Sequence, residues 1–202
     1  MFRFILLFIL MLPGSVLYAQ NTDPEWPCIQ VLVPEIVSAV YWPEIIDESL
    51  QGRWKEDNDE RALAEKLADL EKLTDVEREL IQEFAESIPE DERLEKLNIL
   101  ADGIVTAANY RRARFINGIK RYTRQQIAIA AQIEDTLNQL ADIEGNTDEE
   151  TNASRLEIEE TLRWHERVYD QREHALLSLC ERPVELEEVL SEVLRELSYY
   201  LP

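Results

Sequence analysis

The chain has 202 residues, of which 42 are Asp or Glu and 21 are Lys or Arg, so its formal net charge is −21 at pH 7. Such an acidic surface repels the phosphates of nucleic acids and of anionic membranes, which argues against both as partners. Only five glycines are present, and the chain lacks the motifs typical of serine hydrolases, zinc proteases and nucleotide-binding proteins. We therefore expect a protein that is not an enzyme, with no catalytic residues.

The N-terminus has the organisation of a secretory signal peptide. Arg3 precedes an apolar run over residues 4–12, and Ala19 offers a small residue for cleavage. The run is shorter than the roughly 20 residues that cross a bilayer. Leu17, at the third position before the cleavage site, leaves an uncleaved membrane anchor as the alternative. We expect residues 1–19 to be removed and the mature chain to be periplasmic or secreted, with no stable membrane insertion.

Residues 20–55 form a segment, here called the strap, that contains three of the four tryptophans and four prolines. Proline limits helix formation, so we expect the strap to lie over a helical body with its aromatic side chains in the core. A Trp-lined ligand surface is the alternative. Cys28 in the strap and Cys180 near the other end are the only cysteines. In an oxidising compartment they predict a disulfide, with two separate buried thiols as the alternative.

Residues 56–202 predict a helical bundle domain. Residues 56–88 indicate two short helices, the second of which begins at the capping box of Thr74 and Glu77. Apolar residues then recur at spacings of three and four over residues 89–143.

The same spacing recurs over residues 148–182, after a short turn, so these two segments should pack as a long antiparallel, coiled-coil-like hairpin. Arg182–Pro183 predicts a break, followed by a C-terminal helix over residues 184–200. The predicted fold class is therefore all-α, with shorter helices packed along the hairpin and the strap pinned by the disulfide.

Positive charge is concentrated in one part of the predicted hairpin. Residues 56–95 hold 16 acids and five bases, whereas residues 99–133 hold one acid and six bases. A docking face for an acidic partner, or an anion site, would use Arg111, Arg114, Lys120, Arg121 and Arg124; the sixth base is Arg112. We call all six the basic band.

The alternative for the basic band is neutralisation within the chain. The acids could come from the short helices or from the facing helix, where Glu166, Asp170 and Glu173 are the candidates. Arg111 and Gln126 also interrupt the apolar seam, and polar groups at such positions often fix the register of a coiled coil.

The histidines give only a weak candidate for a metal site. His174 lies one helical turn after Asp170, and Asp170 lies one helical turn after Glu166. The three side chains could therefore share a helix face. Di-metal sites in helical bundles use a Glu-x-x-His element on each of two helices, and the sequence contains none. We therefore expect no metal and no cofactor, and a histidine in a surface salt network.

Three stretches of the strap form a pattern: Trp26-Pro27-Cys28-Ile29-Gln30, Val33-Pro34-Glu35 and Trp42. This pattern, over residues 26–42, resembles one found in small, uncharacterised exported helical proteins of bacteria. The resemblance implies a periplasmic setting with a single cysteine pair, but no activity and no site residues.

These features favour an interaction protein of the cell envelope, such as an adaptor, assembly factor or accessory subunit that binds another envelope protein. Its mark would be an apolar patch left exposed after folding. A helical-bundle carrier of a small ligand or metal is the alternative and requires a pocket between helices. Either a monomer or an oligomer is compatible with the seam, since a heptad-like seam closes within one chain or between two.

Overall fold

The computed structural model describes residues 23–145 and 148–202, so the predicted signal peptide lies outside the described residues. The fold is all-α, as predicted, and the described ranges contain no strand. The strap carries three 3₁₀ turns, at Ser38–Val40, Glu48–Leu50 and Arg53–Lys55. The α-helices that follow are α1 (Asn58–Ala68), α2 (Asp75–Ser87), α3 (Arg93–Asp142) and α4 (Glu149–Ser198).

Helices α3 and α4 have 50 residues each and pack against each other as the predicted antiparallel hairpin. Near the turn, Arg155 Nη2 donates to the Ile143 carbonyl at 3.1 Å. Further along, Tyr122 Oη donates to the Arg172 carbonyl at 3.1 Å. At about 1.5 Å per residue, each helix is about 75 Å long, so the hairpin is the spine of the molecule. No helix in the described ranges is long and apolar enough to span a membrane.

The predicted break at Arg182–Pro183 is wrong, because α4 continues through Pro183 and ends at Ser198. It thus contains all but the last two residues of the predicted 184–200 helix. Proline inside a helix removes one backbone hydrogen bond and costs about 3 kcal/mol. Apolar packing on both sides of Pro183 outweighs that cost, since Leu179 contacts one core cluster and Leu186 belongs to another. Helix α3 begins at Arg93 and not at residue 89, after a turn over residues 90–92.

The main core lies at the end of the hairpin away from the α3–α4 turn. There the N-terminal half of α3 meets the C-terminal half of α4, and α1, α2 and the strap cover them. Trp42 is buried in this core, and its Nε1 donates to Asn98 Oδ1 at 2.7 Å. The largest fully buried side chains are Leu67, Ile81, Leu97, Ile99, Leu100, Ile104, Ile119, Val193, Leu194 and Leu197.

A second, smaller cluster holds the start of the strap against the middle of the hairpin. It contains Trp26, Cys28, Ile116 and Ile119. The predicted disulfide is present here: Cys28 and Cys180 are bonded, with their Cα atoms 5.6 Å apart and a sequence separation of 152 residues. The strap is therefore fixed covalently to α4.

Beyond the second cluster the hairpin continues as an arm whose described residues form no apolar core. After Ile119 the buried residues of α3 are Thr123, Gln126 and Thr136. On α4 no described residue before Pro183 is buried. The two helices of this distal arm are held by polar contacts such as that from Gln126 Nε2 to the Tyr169 carbonyl, at 2.9 Å.

Candidate functional site

Most of the basic band is neutralised by carboxylates of the same chain. The four ion pairs are Arg111 Nε–Asp69 Oδ1 at 3.3 Å, Arg112 Nε–Glu187 Oε1 at 2.6 Å, Lys120 Nζ–Asp23 Oδ2 at 2.6 Å and Arg124 Nη1–Glu25 Oε2 at 2.6 Å. Two of these acids belong to the strap. The pair with Lys120 is also the main reason why the pKa of Asp23 lies below its ordinary value. Of the described residues, Glu166, Asp170 and Glu173 form no ion pair with the band.

Arg112, which the docking prediction left out, is the member of the band at the centre of the structure. It is 5% exposed, and its guanidinium donates to Glu187 and to the carbonyls of Val33 and Pro34. Arg111 also makes internal contacts, donating to the carbonyls of Ala68 and Leu70 at 3.3 and 3.1 Å. These two arginines fix the strap and the end of α1 to the hairpin.

Arg114 and Arg121 differ from the rest of the band. Both side chains are exposed, and neither forms an ion pair or a hydrogen bond with the described part of the chain. Arg114 lines a cleft of ≈ 530 Å³ between the third 3₁₀ turn, α1 and α3. We call it the cationic cleft, and its basic and aromatic walls are Trp54, Lys55, Arg61, Tyr110, Arg111 and Arg114.

A second surface lies on the strap, where apolar side chains point to solvent. The strap's tryptophans are buried, as predicted, but five aliphatic residues between positions 29 and 40 are between 49% and 97% exposed. Four of them line a groove of ≈ 280 Å³ between the strap and α4. We call this surface the valine face, and its members are Ile29, Val31, Val33, Val37 and Val40.

The valine face was not anticipated, because the prediction for the strap placed its aromatic side chains in the core and did not consider where its aliphatic side chains lie. The sequence does contain a signal for it. Four prolines prevent the strap from forming a helix, which could turn all of its apolar residues to one side. A single extended layer that buries Trp26, Trp42 and Trp54 therefore leaves many of the intervening valines outside.

The strap around the valine face carries charge of one sign. Residues 29–52 contain four acids and no base. Glu35 lines the groove, and so does the ion pair of Arg112 and Glu187. The valine face is thus an apolar patch on a segment that carries only negative charge.

The structure does not gather the predicted metal candidates into a site. His174 Nδ1 lies 2.8 Å from the backbone carbonyl oxygen of Asp170, a contact that does not involve the carboxylate. In the described ranges, no group of three or more His, Cys, Asp or Glu side chains is placed to hold a metal ion. The other histidine, His165, lines an open cleft of ≈ 550 Å³ in the distal arm among mainly polar side chains.

Comparison of the chain with protein-family models, with curated proteins and with solved structures finds no match. Inferences about function therefore depend on the surface chemistry of this chain. Its two most unusual surfaces are the valine face and the cationic cleft.

Proposed function

We propose that this chain is an exported helical interaction protein of the cell envelope, an adaptor, assembly factor or accessory subunit that binds another protein through the valine face. The signal-like N-terminus and the Cys28–Cys180 disulfide support the exported setting. The single observation that carries the binding role is the cluster of exposed aliphatic side chains on the strap.

Isolated exposed apolar residues are ordinary on protein surfaces, but this set is concentrated within twelve residues of sequence, from Ile29 to Val40. Soluble monomers seldom expose large contiguous apolar patches, and those that do commonly use them for binding. Docking a partner here would remove the five side chains from water. Each Å² of apolar surface that the partner covers contributes roughly 25 cal/mol to the favourable free energy of binding.

The valine face is also held in place before any partner arrives. The disulfide fixes its start at Cys28. Arg112 donates to the carbonyls of Val33 and Pro34. The backbone N–H and carbonyl of Ile36 bond to Asn109 at 2.8 Å each. A surface ordered in advance loses little conformational entropy on binding, which favours affinity.

The partner expected on this surface is a protein with an apolar patch bordered by Lys and Arg. The acidic, base-free segment of residues 29–52 attracts a basic rim and repels an acidic one. Rim charges act mainly on the rate of association and on specificity, and salt screens them. Capture should therefore be faster at low salt, while the apolar contact persists at high salt.

The test is site-specific photo-crosslinking in the producing cell, with a photoreactive amino acid placed at Val37 or, as a matched control, at Val76. Both valines are exposed, at 60% and 61%, but Val76 lies on α2 away from the strap. We expect a discrete crosslinked species from position 37 and none from position 76.

The double substitution Val37→Asp/Val40→Asp should abolish the crosslink from a reporter at position 33, whereas Val76→Asp should not. All of these valines are exposed, so the melting temperature should change little and serves as the control for folding. Equal crosslinking from positions 37 and 76, or a crosslink that survives the double substitution, would contradict the proposal.

A further inference from the structure

We infer that the cationic cleft is a binding site for a small organic anion, one that carries a carboxylate or phosphate on a flat aromatic ring. The cleft lies on the third 3₁₀ turn, α1 and α3, and shares no lining residue with the valine-face groove. The inference is therefore independent of the proposed docking function.

The cleft has the size and walls of a small-molecule site. Its volume of ≈ 530 Å³ falls within the usual range of roughly 300–1,000 Å³ for such pockets. Trp54 and Tyr110 supply aromatic walls. The Lys55 Nζ lies 5.0 Å from the centroid of the Trp54 ring and 6.0 Å from that of Tyr110. A cation held between two rings is an arrangement that also suits an aromatic anion stacked against them.

The cations of the cleft are under-neutralised in a chain that has twice as many acids as bases. Arg111 is paired with Asp69, but Arg61 donates only to the neutral side chain of Asn58, at 2.8 Å. In the described part of the chain, neither Lys55 nor Arg114 has a carboxylate within ion-pair distance. Four cations line the cleft, and they outnumber the two carboxylates that line it, Glu65 and Asp69. An anionic ligand would neutralise the excess of positive charge.

An unsatisfied donor in the wall points the same way. Trp54 is 3% exposed, and its Nε1 is buried with no hydrogen-bond acceptor among the described residues. The strap's other two tryptophans both donate, Trp26 to the Gln30 carbonyl and Trp42 to Asn98, at 2.7 Å each. Buried donors are rarely left unpaired. Lys55, which is exposed and lies over the Trp54 ring, would move toward a bound anion and open the indole to a ligand oxygen.

These contacts assign a role to each side chain. Arg114 binds the anionic group, with Lys55 as a second, mobile cation. Tyr110, which is 62% exposed, stacks on the ring of the ligand. Trp54 forms the floor and donates its N–H when the ligand is present.

The test uses the ¹⁵N-labelled mature protein and the probes 2-naphthoate, 2-naphthyl phosphate and the neutral 2-naphthamide. The indole N–H resonances of the four tryptophans are followed by NMR, and that of Trp54 is identified with Trp54→Phe. We expect either anion to shift the Trp54 resonance to saturation while the amide does not. The tighter of the two anions identifies the carboxylate or the phosphate as the preferred group.

The matched variants are Arg114→Gln and Arg121→Gln, because both arginines lie exposed on α3 with no ion pair or hydrogen bond to the described residues, and only Arg114 lines the cleft. Arg114→Gln should raise the dissociation constant of the anion about tenfold, as expected for the loss of one charge-assisted hydrogen bond. Arg121→Gln should leave it unchanged. Equal effects of the two substitutions, equal binding of the amide, or a Trp54 resonance that does not move would each overturn the inference.

Discussion

Gly103 of α3 lies against Trp54 of the strap and Ala64 of α1. A Cβ atom at this position would lie 2.8 Å from Trp54 Cγ and 2.9 Å from the Ala64 Cβ. Alanine normally stabilises a helix interior by about 1 kcal/mol relative to glycine, but overpacking a well-packed core costs about 1–3 kcal/mol. We therefore expect Gly103→Ala to lower the free energy of unfolding by up to about 2 kcal/mol, measured by urea denaturation.

The matched control is Gly118→Ala in the same helix. A Cβ added at Gly118 meets no atom within 4 Å, so only the gain in helix propensity remains. This variant should be more stable than the wild type by up to about 1 kcal/mol. If Gly103→Ala were stabilised to the same degree, the close contact between Gly103 and Trp54 would be contradicted.

Arg112 shows how far sequence reasoning reaches at single residues. Periodicity identified a polar interruption in the seam and assigned it to Arg111, whereas the buried arginine is its neighbour Arg112. Helical spacing locates a face to within about one residue. It does not reveal that Glu187 and the carbonyls of Val33 and Pro34 lie opposite Arg112, because these groups are about 75 residues away in sequence.

At the scale of the element, the start of α1 makes stability depend on pH. Asp57 caps this helix by accepting the N–H groups of Asp59 at 2.7 Å and Glu60 at 3.1 Å. These two hydrogen bonds hold the pKa of Asp57 below its ordinary value of 3.8, and the bond from Glu60 has the larger effect. Because the folded-state pKa of Asp57 is lower than its unfolded-state pKa, the cap stabilises the folded protein in full at pH values above the unfolded-state pKa. Its contribution is lost as the pH falls through the folded-state value.

Asp57→Asn isolates this effect, because asparagine is a good N-cap but does not titrate. We expect wild type and variant to lie close in stability near neutral pH, and the wild type to lose stability relative to Asp57→Asn as the pH falls below about 4. Urea unfolding at both pH values measures the difference. Asp91→Asn, in an exposed turn before α3, controls for the removal of one carboxylate. If Asp91→Asn changed the pH dependence of stability as much as Asp57→Asn, the role of Asp57 as a cap would be contradicted.

The elements were largely predictable because helix signals are local. The capping box of Thr74 and Glu77 is present at the start of α2, and the apolar stripes located both long helices. Pro183 misled the prediction because its local cost is opposed by packing against residues distant in sequence. The same limit explains the valine face and the cationic cleft, which are assembled from the strap, α1, α3 and α4 and have no continuous sequence signature.

At the scale of the whole molecule, the strap links regions that differ in how they are stabilised. One end of the hairpin has the main apolar core, and the distal arm has none in the described residues. Between them the strap supplies Asp23 and Glu25 to Lys120 and Arg124. Much of the basic band therefore serves to position the strap. This is why the charge pattern, although a correct indication of an unusual region, overstated the number of cations free to bind a partner.

The disulfide should contribute strongly to this arrangement. Cys28 and Cys180 close a loop with a sequence separation of 152 residues, for which the chain-entropy model gives an upper estimate of about 5 kcal/mol. In a protein of this size each kcal/mol corresponds to about 2–4 °C in melting temperature. We expect Cys28→Ala/Cys180→Ala to melt at least several degrees, and up to about 20 °C, below the wild type in thermal unfolding followed by circular dichroism.

The same variant distinguishes two effects of the disulfide. It can restrain the unfolded chain alone, or it can also hold the end of the strap in place in the folded protein. If it only restrains the unfolded chain, the folded variant keeps the buried Trp26 and the Trp26 Nε1–Gln30 bond. Its indole resonance then stays in place below the melting transition. The cluster around Trp26 has only four buried residues, too few to hold the end of the strap well without a covalent link. We therefore expect this resonance to broaden or shift before global unfolding, while that of Trp42 in the main core does not. A variant that melts with the wild type would show that the ion pairs of Lys120 and Arg124 hold the strap without the disulfide.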